Sequence, residues 1–358
     1  MRILITGGAG FVGSALARCF KARSPSNSIV AFDNLKRRGS ELNVARFKRI
    51  GIEFVHGDVR SRADLDDIAG NFDVMIEASA EPSVQAGIHS SPNYVIETNL
   101  VGTLNCLEFA RRRVDRSIFM STSRVYSLAS LKAIPLVENS TRFLLDKNNI
   151  SQVPGLSSAG ISEAFSTSTA RSIYGATKLC SEQIAQEYAN TYGMKIIIDR
   201  CGVIAAPGQF GKVDQGVFTM WVANHYFGIP LKYMGYGGCG KQVRDLLHTD
   251  DLFELFKIQL EQASQHSGIV YNVGGGHECS TSLLEMTELA AASTGRKTDI
   301  DQVSETSAMD IPFYVTDFSK AASAFAWRPR HTAKTIVAEI AGWIRENEDE
   351  LRPLFRGA

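Results

Sequence analysis

The sequence opens with MRILITGGAGFVG over residues 1–13, and this stretch decides the fold. Arg2 to Thr6 is a short run of β-branched and apolar residues, which is typical of a buried strand. Ser14 to Lys21 has the composition of a helix, and a glycine-rich turn separates the two segments. Strand, tight turn and helix in this order predict the first unit of a dinucleotide-binding domain.

The glycines of this turn carry the binding prediction. Gly7, Gly10 and Gly13 have the spacing G-x-x-G-x-x-G, and the same stretch also contains G-x-G-x-x-G. Glycine lets the backbone turn tightly and approach a pyrophosphate, whose charge meets the free N–H groups at the start of a helix. We therefore expect these three glycines, together with Phe11 and Val12, to bind the cofactor.

Further strand-like segments follow this unit, and helix-length stretches separate them. They are Ser28 to Phe32, Ile52 to His56, Val74 to Ala78, Ser117 to Ser121 and Lys195 to Asp199. Strands that alternate with helices predict an α/β fold with a Rossmann-type, doubly wound parallel sheet. We expect an NAD-binding Rossmann domain over residues 1–204, to which residues 245–275 return. Residues 205–358 are expected to form a smaller, mixed α/β substrate-binding domain.

Two segments depart from the simple alternation. The stretch from Tyr126 to Arg171 is rich in serine and threonine and is too long for an ordinary connection, so we expect a substrate-facing loop. Near the end of the chain, Ile336, Ile340, Trp343 and Ile344 have helical spacing and predict one apolar face of a final helix.

The composition excludes several kinds of partner. Lysine plus arginine and aspartate plus glutamate both total 38, so no basic excess favours nucleic acid or an anionic membrane surface. The six cysteines lie far apart without a C-x-x-C pair, and we expect reduced thiols and no metal site. Glycines interrupt the apolar opening, so we expect no signal peptide and a cytoplasmic protein.

Acidic residues end the second and third predicted strands. Asp33 lies 20 residues after Gly13, where a carboxylate accepts hydrogen bonds from the ribose hydroxyls of NAD and repels the 2′-phosphate of NADP. NAD is therefore favoured, although Arg37 and Arg38 follow closely and leave NADP open. Asp58 is expected either to meet the adenine amino group or to cap the next helix. The other expected cofactor contacts are Asn34, Val59, Ala78, Ser79, Ala80 and Asn99.

The candidate catalytic residues are a tyrosine, a lysine and a threonine. Tyr174 and Lys178 are four residues apart on a predicted helix and share one face. An ammonium group beside a phenol favours phenolate, and lowering a tyrosine pKa from about 10 towards 7 needs about 4 kcal/mol. Such a tyrosine can remove a hydroxyl proton while nicotinamide takes the hydride. Thr122, at the carboxyl end of the fifth strand, can orient the reacting hydroxyl, and Ser123 competes for that role.

Together these residues resemble the extended short-chain dehydrogenase/reductase superfamily, in particular its nucleotide-sugar epimerases and dehydratases. The resemblance covers nearly the whole chain. Its pattern falls on Gly7, Gly10, Gly13, Asp33, Thr122, Tyr174, Lys178 and Arg244. Within the superfamily, FDNLKRRG, FVHGDVR, QFGKVDQG and GKQVRDLLHTDD are similar to epimerases that act at carbon 2 of CDP-linked sugars.

The resemblance implies a function and a set of contacts. Arg244 would hold the substrate pyrophosphate, or else form an ion pair with Asp245 or a neighbouring carboxylate. Lys178 would bind the nicotinamide ribose. Tyr233 would face the substrate or lie in the core. The implied substrate contacts are Ser123, Gln209, Gln215, Tyr233 and Arg244, with Phe210 and Asp214 nearby. A homodimer through the helices near Pro92 to Arg113 and Arg171 to Tyr192 is also implied.

The sequence departs from the superfamily at several informative positions. Val203 stands where an asparagine is usual, and Glu77 begins a segment that usually begins with histidine. Dehydratases of the superfamily have an Asp-Glu pair after the threonine, whereas this chain has Ser123 and Arg124. We therefore expect epimerisation rather than dehydration. The resemblance implies that the inverted centre is carbon 2 of a CDP-linked deoxyhexose, with a UDP-hexose 4-epimerase as the alternative. A non-catalytic NAD sensor is the hypothesis from another class.

Overall fold

The computed structural model of the chain describes residues 1–210 and 215–355. The chain forms two compact units. The first contains residues 1–125, 172–201 and 252–271, and the second contains residues 126–171, 202–251 and those from 272 onwards. This division differs from the predicted domains chiefly in residues 126–171, which belong to the second unit.

The first unit contains a seven-stranded sheet. Its strands, numbered along the whole chain, are β1 Arg2–Thr6, β2 Ser28–Asp33, β3 Glu53–His56, β4 Phe72–Glu77, β5 Val114–Thr122, β10 Lys195–Cys201 and β14 Val270–Val273. Their order in the sheet is β14-β10-β5-β4-β1-β2-β3, and every pairing from β10 to β3 is parallel. Because the order reverses at β1 and β4, the sheet is doubly wound, and the predicted fold class is confirmed.

Helices follow most of these strands. They are α1 Phe11–Arg23, α2 Ser40–Ile50, α3 Arg62–Asp66, α4 Asn93–Ile96, α5 Gly102–Arg113, α7 Ile173–Tyr192 and α9 Thr249–Glu261, with a π-helical turn at Glu97–Val101. The strand interiors are apolar at successive positions because helices cover both faces of a doubly wound sheet. On α5, for example, Cys106 and Phe109 pack in one core cluster with Leu4 and Phe32.

The second unit has shorter strands and its own helices. The strands are β6 Leu136–Glu138, β7 Phe143–Leu145, β8 Leu156–Ser157, β9 Gly160–Ile161, β11 Val203–Ile204, β12 Leu231–Met234, β13 Val243–Leu247, β15 Ser280–Ser282, β16 Ile300–Val303 and β17 Phe313–Tyr314. The helices are α6 Leu128–Lys132, α8 Val217–Phe227, α10 Leu283–Thr294, α11 Ser319–Phe325, α12 Ala333–Glu346 and α13 Glu348–Phe355. Strand β13 runs parallel to β11 and β17 and antiparallel to β15, so this unit is mixed α/β as predicted.

The helix predicted from apolar residues near the end of the chain is α12, but it is not the last one, because α13 follows it. Ile336, Ile340 and Ile344 are completely buried on one face, in a core cluster with residues of α8 and α10. Trp343 lies at the edge of that face, with its ring 6.1 Å from the ring of Phe210. The helical spacing of these apolar residues therefore predicted both the helix and its buried face.

Residues 126–171 are ordered rather than a bare loop. They form α6 and two small hairpins, β6-β7 and β8-β9. Arg142 binds both Glu285 and Ser280, and the Tyr126 hydroxyl donates to Asn272 Oδ1 at 2.6 Å. These contacts fasten the segment within the second unit. That it faces the substrate stays a prediction.

A buried carboxyl group lies in the core of the first unit. Asp199 on β10 and Gln259 on α9 are both completely buried, and Gln259 Nε2 donates to Asp199 Oδ1 at 2.8 Å. Among the described residues, Asp199 Oδ2 and Gln259 Oε1 have no hydrogen-bond partner. Burial raises the pKa of Asp199 to about 7, although the Gln259 bond lowers it in part. Protonation makes the Asp199 carboxyl group neutral, which suits its complete burial.

This pair predicts a pH-dependent loss of stability that Asp199→Asn removes. Because the folded-state pKa lies above the unfolded value, the stabilisation is complete below about pH 4 and is lost as the pH rises through about 7. The shift corresponds to at most about 4 kcal/mol. Urea unfolding at about pH 5 and about pH 9 measures the loss in both proteins. The control is Glu53→Gln, which removes an exposed carboxylate on β3. Equal pH dependence in wild type and Asp199→Asn would contradict the assignment.

Candidate active site

The glycine turn between β1 and α1 leaves no room for side chains. Gly7 has a positive φ of 65°, and a Cβ there would lie 2.7 Å from the carbonyl oxygen of Ala78. A Cβ on Gly13 would overlap the carbonyl oxygen of Gly7. Gly10 is the N-cap of α1 and has no side chain to accept from the first N–H groups of the helix. These donors therefore remain available to an anion such as a pyrophosphate.

Asp33 holds the glycine turn from the end of β2. Its Oδ2 accepts from the Ala9 N–H at 3.1 Å and its Oδ1 accepts from the Leu35 N–H at 2.7 Å. Burial raises the pKa of this carboxyl group, and the backbone donors oppose that shift. Asn43 of α2 completes the arrangement, because its Nδ2 donates to the Ala9 carbonyl at 2.9 Å. No motif in the sequence pointed to Asn43.

Asp58 does not cap α3. Ser61 is the N-cap and its hydroxyl accepts from the Asp64 N–H, so the capping alternative for Asp58 is wrong. The Asp58 carboxylate instead accepts from Arg60 Nη2 at 2.7 Å and from Asn34 Nδ2 at 2.9 Å. Burial alone would raise the pKa of Asp58, but these hydrogen bonds outweigh it and lower the pKa to about 2. The adenine contact stays a prediction.

The segment after β4 lies beside the glycine turn, as its expected cofactor role requires. The Ala78 N–H donates to the Thr6 carbonyl at 3.1 Å, and the Ser79 and Thr6 hydroxyls are 3.1 Å apart. Ala80 follows directly in the chain. Val59, by contrast, packs in the core cluster of the sheet.

Asn99 has a fastening role within the protein. Its Oδ1 accepts from the Glu81 N–H at 2.8 Å. Its Nδ2 donates to the Glu81 carbonyl at 3.1 Å and to the Thr177 hydroxyl at 3.2 Å. The side chain of Asn99 thus ties the segment after β4 to helix α7, on which the candidate catalytic residues lie.

Tyr174, Lys178 and Thr122 come together at the carboxyl end of β5. Helix α7 begins after Ser172, whose hydroxyl accepts from the Gly175 N–H. All three candidate residues are buried, and the Thr122 hydroxyl accepts from the Arg124 N–H at 3.2 Å. Ser123 follows in a buried 3₁₀ turn.

Burial raises the pKa of Tyr174 in the chain alone, and the hydrogen bond from Thr122 lowers it only in part. The expected lowering of this pKa is therefore not found, because desolvation of a phenolate outweighs the neighbouring charges. Glu81, which sequence reasoning missed, adds a negative charge that also raises the pKa. Glu81 directly follows the predicted cofactor segment 78–80, and this position could have indicated it.

Lys178 lies within a buried set of charges. Its Nζ is 4.0 Å from the centre of the Phe119 ring, and burial lowers its pKa while Glu77 and Glu182 raise it. Glu77 accepts from the Thr103 hydroxyl at 2.5 Å. Glu182 accepts from Arg200 Nη2 at 2.7 Å. These two acids and two bases therefore form one buried set.

Sequence reasoning overlooked most of this set. Glu182 lies four residues after Lys178, so the helical spacing could have placed it on the same face. Arg200 had no such signal, because only the pairing of β10 with β5 brings its strand beside Ser121, which donates to Glu182.

The predicted substrate residues of the second unit are engaged within that unit. Arg244 forms an ion pair with Asp310 at 3.1 Å and donates to the Val243 and Ile311 carbonyls. Arg244 thus forms the ion pair of the second alternative, and its partner is Asp310 rather than Asp245. Gln209 Oε1 accepts from Thr219 at 2.7 Å.

Tyr233 and Gln215 differ in their surroundings. Tyr233 lies in the core of the second unit, stacks on Trp221 with ring centres 5.6 Å apart, and has its hydroxyl 2.6 Å from that of Thr287. Tyr233 is therefore a core residue, which was the second of the two alternatives for it. Gln215 has a buried Oε1 without a hydrogen-bond partner in the described part of the chain. Asp214 lies outside the described residues.

Comparison with known proteins identifies the family. Residues 3–274 match the NAD dependent epimerase/dehydratase family. The chain belongs to this family. It is 31% identical to CDP-paratose 2-epimerase from Salmonella typhi over 355 residues, 96% of this chain and 99% of that protein. It is 28% identical to dTDP-glucose 4,6-dehydratase from Streptomyces niveus over 361 residues, 99% of this chain and 96% of that protein.

A solved structure agrees with this family. The double mutant of dTDP-glucose 4,6-dehydratase from Streptomyces venezuelae, with NAD bound, has a TM-score of 0.79 and 27% identity. The match covers 99% of this chain and 100% of that one. In the described ranges, no helix is long and apolar enough to cross a membrane.

NAD, the cofactor of the family, fits the residues present. The glycine turn has space only for backbone, the start of α1 offers N–H donors, and Asp33 is the carboxylate that suits an unphosphorylated ribose. The chain is thus an NAD-dependent enzyme of the epimerase and dehydratase family.

Gly13→Ala tests the cofactor cradle. Because the added Cβ overlaps the Gly7 carbonyl, the turn must open, and we expect the Kd for NAD to rise at least about tenfold. Calorimetric titration of NAD into cofactor-free protein measures this. The matched control is Gly342→Ala in helix α12, where a Cβ meets no atom within 4 Å. The control should keep the wild-type Kd, and a wild-type Kd in Gly13→Ala would refute the cradle.

Proposed function

We propose that the chain inverts carbon 2 of a CDP-linked deoxyhexose and keeps NAD bound through turnover. The observation that carries this is the pair of residues after Thr122, which are Ser123 and Arg124. The 31% identity to CDP-paratose 2-epimerase supports the same substrate class.

The residues after Thr122 distinguish epimerisation from dehydration. Removing water from a sugar needs an acid that protonates the departing hydroxyl and a base that takes a carbon-bound proton. In the dehydratases of the superfamily that this chain resembles, the two residues after the threonine are an Asp-Glu pair. Ser123 offers only a neutral hydroxyl, and Arg124 is a permanent cation that cannot give up a proton. An epimerase needs only a hydride removed from one carbon and returned to its other face.

The residues of the first unit supply the remaining chemistry. NAD, when bound, provides the acceptor and donor of the hydride. The glycine turn, the start of α1, Asp33 and Lys178 would hold it, with further contacts from Asn34, Asp58 and the segment 78–80. Thr122 orients the carbon-2 hydroxyl, and Tyr174 takes its proton and later returns it. Because burial opposes the phenolate, Lys178 must remain an ammonium, and Glu77 and Glu182 keep it charged.

Substrate contacts come from polar groups that now bind within the protein. Arg244 exchanges its ion pair with Asp310 for the substrate pyrophosphate, which accepts two parallel hydrogen bonds from a planar guanidinium. Gln215 contributes its unpaired Oε1, and Ser123 and Gln209 add further polar contacts. Tyr233 packs in the core of the second unit and stabilises it.

The assembly we propose is a homodimer in the cytoplasm. Ile96 and Val101, at the turn between α4 and α5, and Tyr192 on α7 are large apolar side chains that are exposed. Their burial in a second copy would remove apolar surface from water. All six cysteines lie among the described residues and none is in a disulfide, which suits a reducing compartment.

A substrate assay tests this function. Purified protein without added NAD is given CDP-paratose, UDP-glucose or dTDP-glucose, and products are followed by mass spectrometry and NMR. We expect only CDP-paratose to react, with a product of unchanged mass inverted at carbon 2. Deuterium placed at that carbon should remain there, because the same hydride returns. Loss of water from dTDP-glucose would indicate a dehydratase, and inversion of UDP-glucose alone a 4-epimerase. No turnover with any sugar would favour a sensor.

Tyr174→Phe should abolish turnover and leave NAD bound. The phenol oxygen is the proposed proton carrier, and loss of general acid–base catalysis lowers kcat by about a hundredfold or more. Rates are measured with the reactive sugar, and bound NAD is measured after denaturation. The matched control is Tyr192→Phe, an exposed tyrosine on the same helix, which should keep the wild-type kcat. Wild-type turnover by Tyr174→Phe would eliminate the phenolate role.

A further inference from the structure

Three potential metal ligands meet in the second unit, on residues that the reaction does not use. His248 follows β13, His331 lies two residues before α12, and Glu339 lies on α12. One ligand atom from each lies within 4.8 Å of the others. The two imidazole rings are stacked, with centres 4.0 Å apart and planes inclined by 22°.

The distances match those between ligands of one ion. Glu339 Oε2 is 3.1 Å from His248 Nε2, and Glu339 Oε1 is 3.9 Å from His331 Nε2. In a tetrahedral zinc site with bonds of about 2.0–2.1 Å, the ligand atoms are about 3.3 Å apart. The three ligand atoms lie within 4.8 Å of one another, so side-chain rotations must bring them closer before they share one ion.

A buried nitrogen without a hydrogen bond points into the cluster. His248 is only 4% exposed, and among the described residues its Nε2 has no hydrogen-bond partner, although Glu339 is close. Leaving such a group unpaired costs about 1–3 kcal/mol. A bound cation would remove this penalty.

His331 is oriented by a carboxylate behind it. Its Nδ1 lies 2.9 Å from Asp251 Oδ2, and Asp251 also accepts from the Arg330 and His331 N–H groups. This contact fixes the ring and leaves Nε2 directed to the cluster. A carboxylate behind a ligating imidazole is the common outer contact of zinc sites.

We propose that His248, His331 and Glu339 bind a divalent transition-metal ion of the zinc class. Two imidazoles and one carboxylate are ligands that suit zinc, and a water molecule would fill the fourth position. The ion would join the end of β13 to helix α12. Because β13 carries Arg244, the bound ion would also stabilise the strand that holds this arginine.

The hydrogen bonds of His248 set the expected affinity. The Asp250 N–H donates to His248 Nδ1 at 3.1 Å, so the neutral ring carries its proton on Nε2. Coordination at Nε2 requires the ring proton to be on Nδ1 instead. The Nδ1–H group would then donate a hydrogen bond to Asp250 Oδ2, which is now 3.8 Å away. The lost Asp250 bond opposes binding, and we expect a Kd in the low micromolar range.

Zinc titration of tag-free, full-length protein tests the site. The protein is treated with chelator and then titrated calorimetrically with ZnCl2, and Co²⁺ provides the visible spectrum of a tetrahedral site. We expect one ion per chain and a higher Tm. Glu339→Gln and His331→Ala should each weaken binding at least about tenfold. The control is His277→Ala, an exposed histidine of the same unit that contacts the Ser158 carbonyl, which should bind zinc as wild type does.

Two outcomes would overturn the proposal. One is no heat and no rise in Tm in wild type at zinc concentrations up to about 100 times the expected Kd. The other is wild-type affinity in both Glu339→Gln and His331→Ala. Glu339 is 44% exposed, so the Glu339→Gln variant retains the fold and its loss of binding reports on the ligand itself. The titration needs no sugar nucleotide, so its result is independent of the proposed epimerase activity.

Discussion

The buried ion pair between Glu182 and Arg200 is the interaction on which the active site depends. Arg200 Nε and Nη2 donate to the two oxygens of Glu182, and both side chains are nearly inaccessible to solvent. The pair fixes α7 to β10, while Ser121 on β5 donates to the same carboxylate. Removing one partner of a buried pair costs about 3–5 kcal/mol because the other charge is left uncompensated. Tyr174, Lys178 and Thr122 therefore share one rigid frame.

The same frame sets the charge of Lys178. A buried ammonium is unfavourable by itself, and Glu77 and Glu182 supply the negative charge that offsets its desolvation. Glu77 stands where the resembling superfamily usually has histidine, so this chain adds a carboxylate at the end of β4. Two acids, Glu77 and Glu182, thus offset two buried bases, Lys178 and Arg200. Burial also raises the pKa of the Tyr174 phenol.

The sequence predicted the sheet well because parallel strands buried on both faces read as apolar runs. The six strands expected from such runs all occur, and helix α12 buries the isoleucines that indicated it. The stretch from Tyr126 to Arg171 lacked this signal, since its hairpins are two or three residues long per strand. The pKa of Tyr174 is raised in the chain alone because desolvation depends on depth of burial, which spacing along a helix does not express.

The amino-acid sequence by itself determined the glycine turn, Asp33, the family and the Y-x-x-x-K pair, because each depends on residues close together in the chain. Tertiary structure alone decided that Arg200 binds Glu182, that Arg244 pairs with Asp310, and that Tyr233 belongs to a core. It also brought His248 beside His331, 83 positions along the chain. Such contacts depend on which strands pair and which helices pack, and the spacing of residues along the chain determines neither.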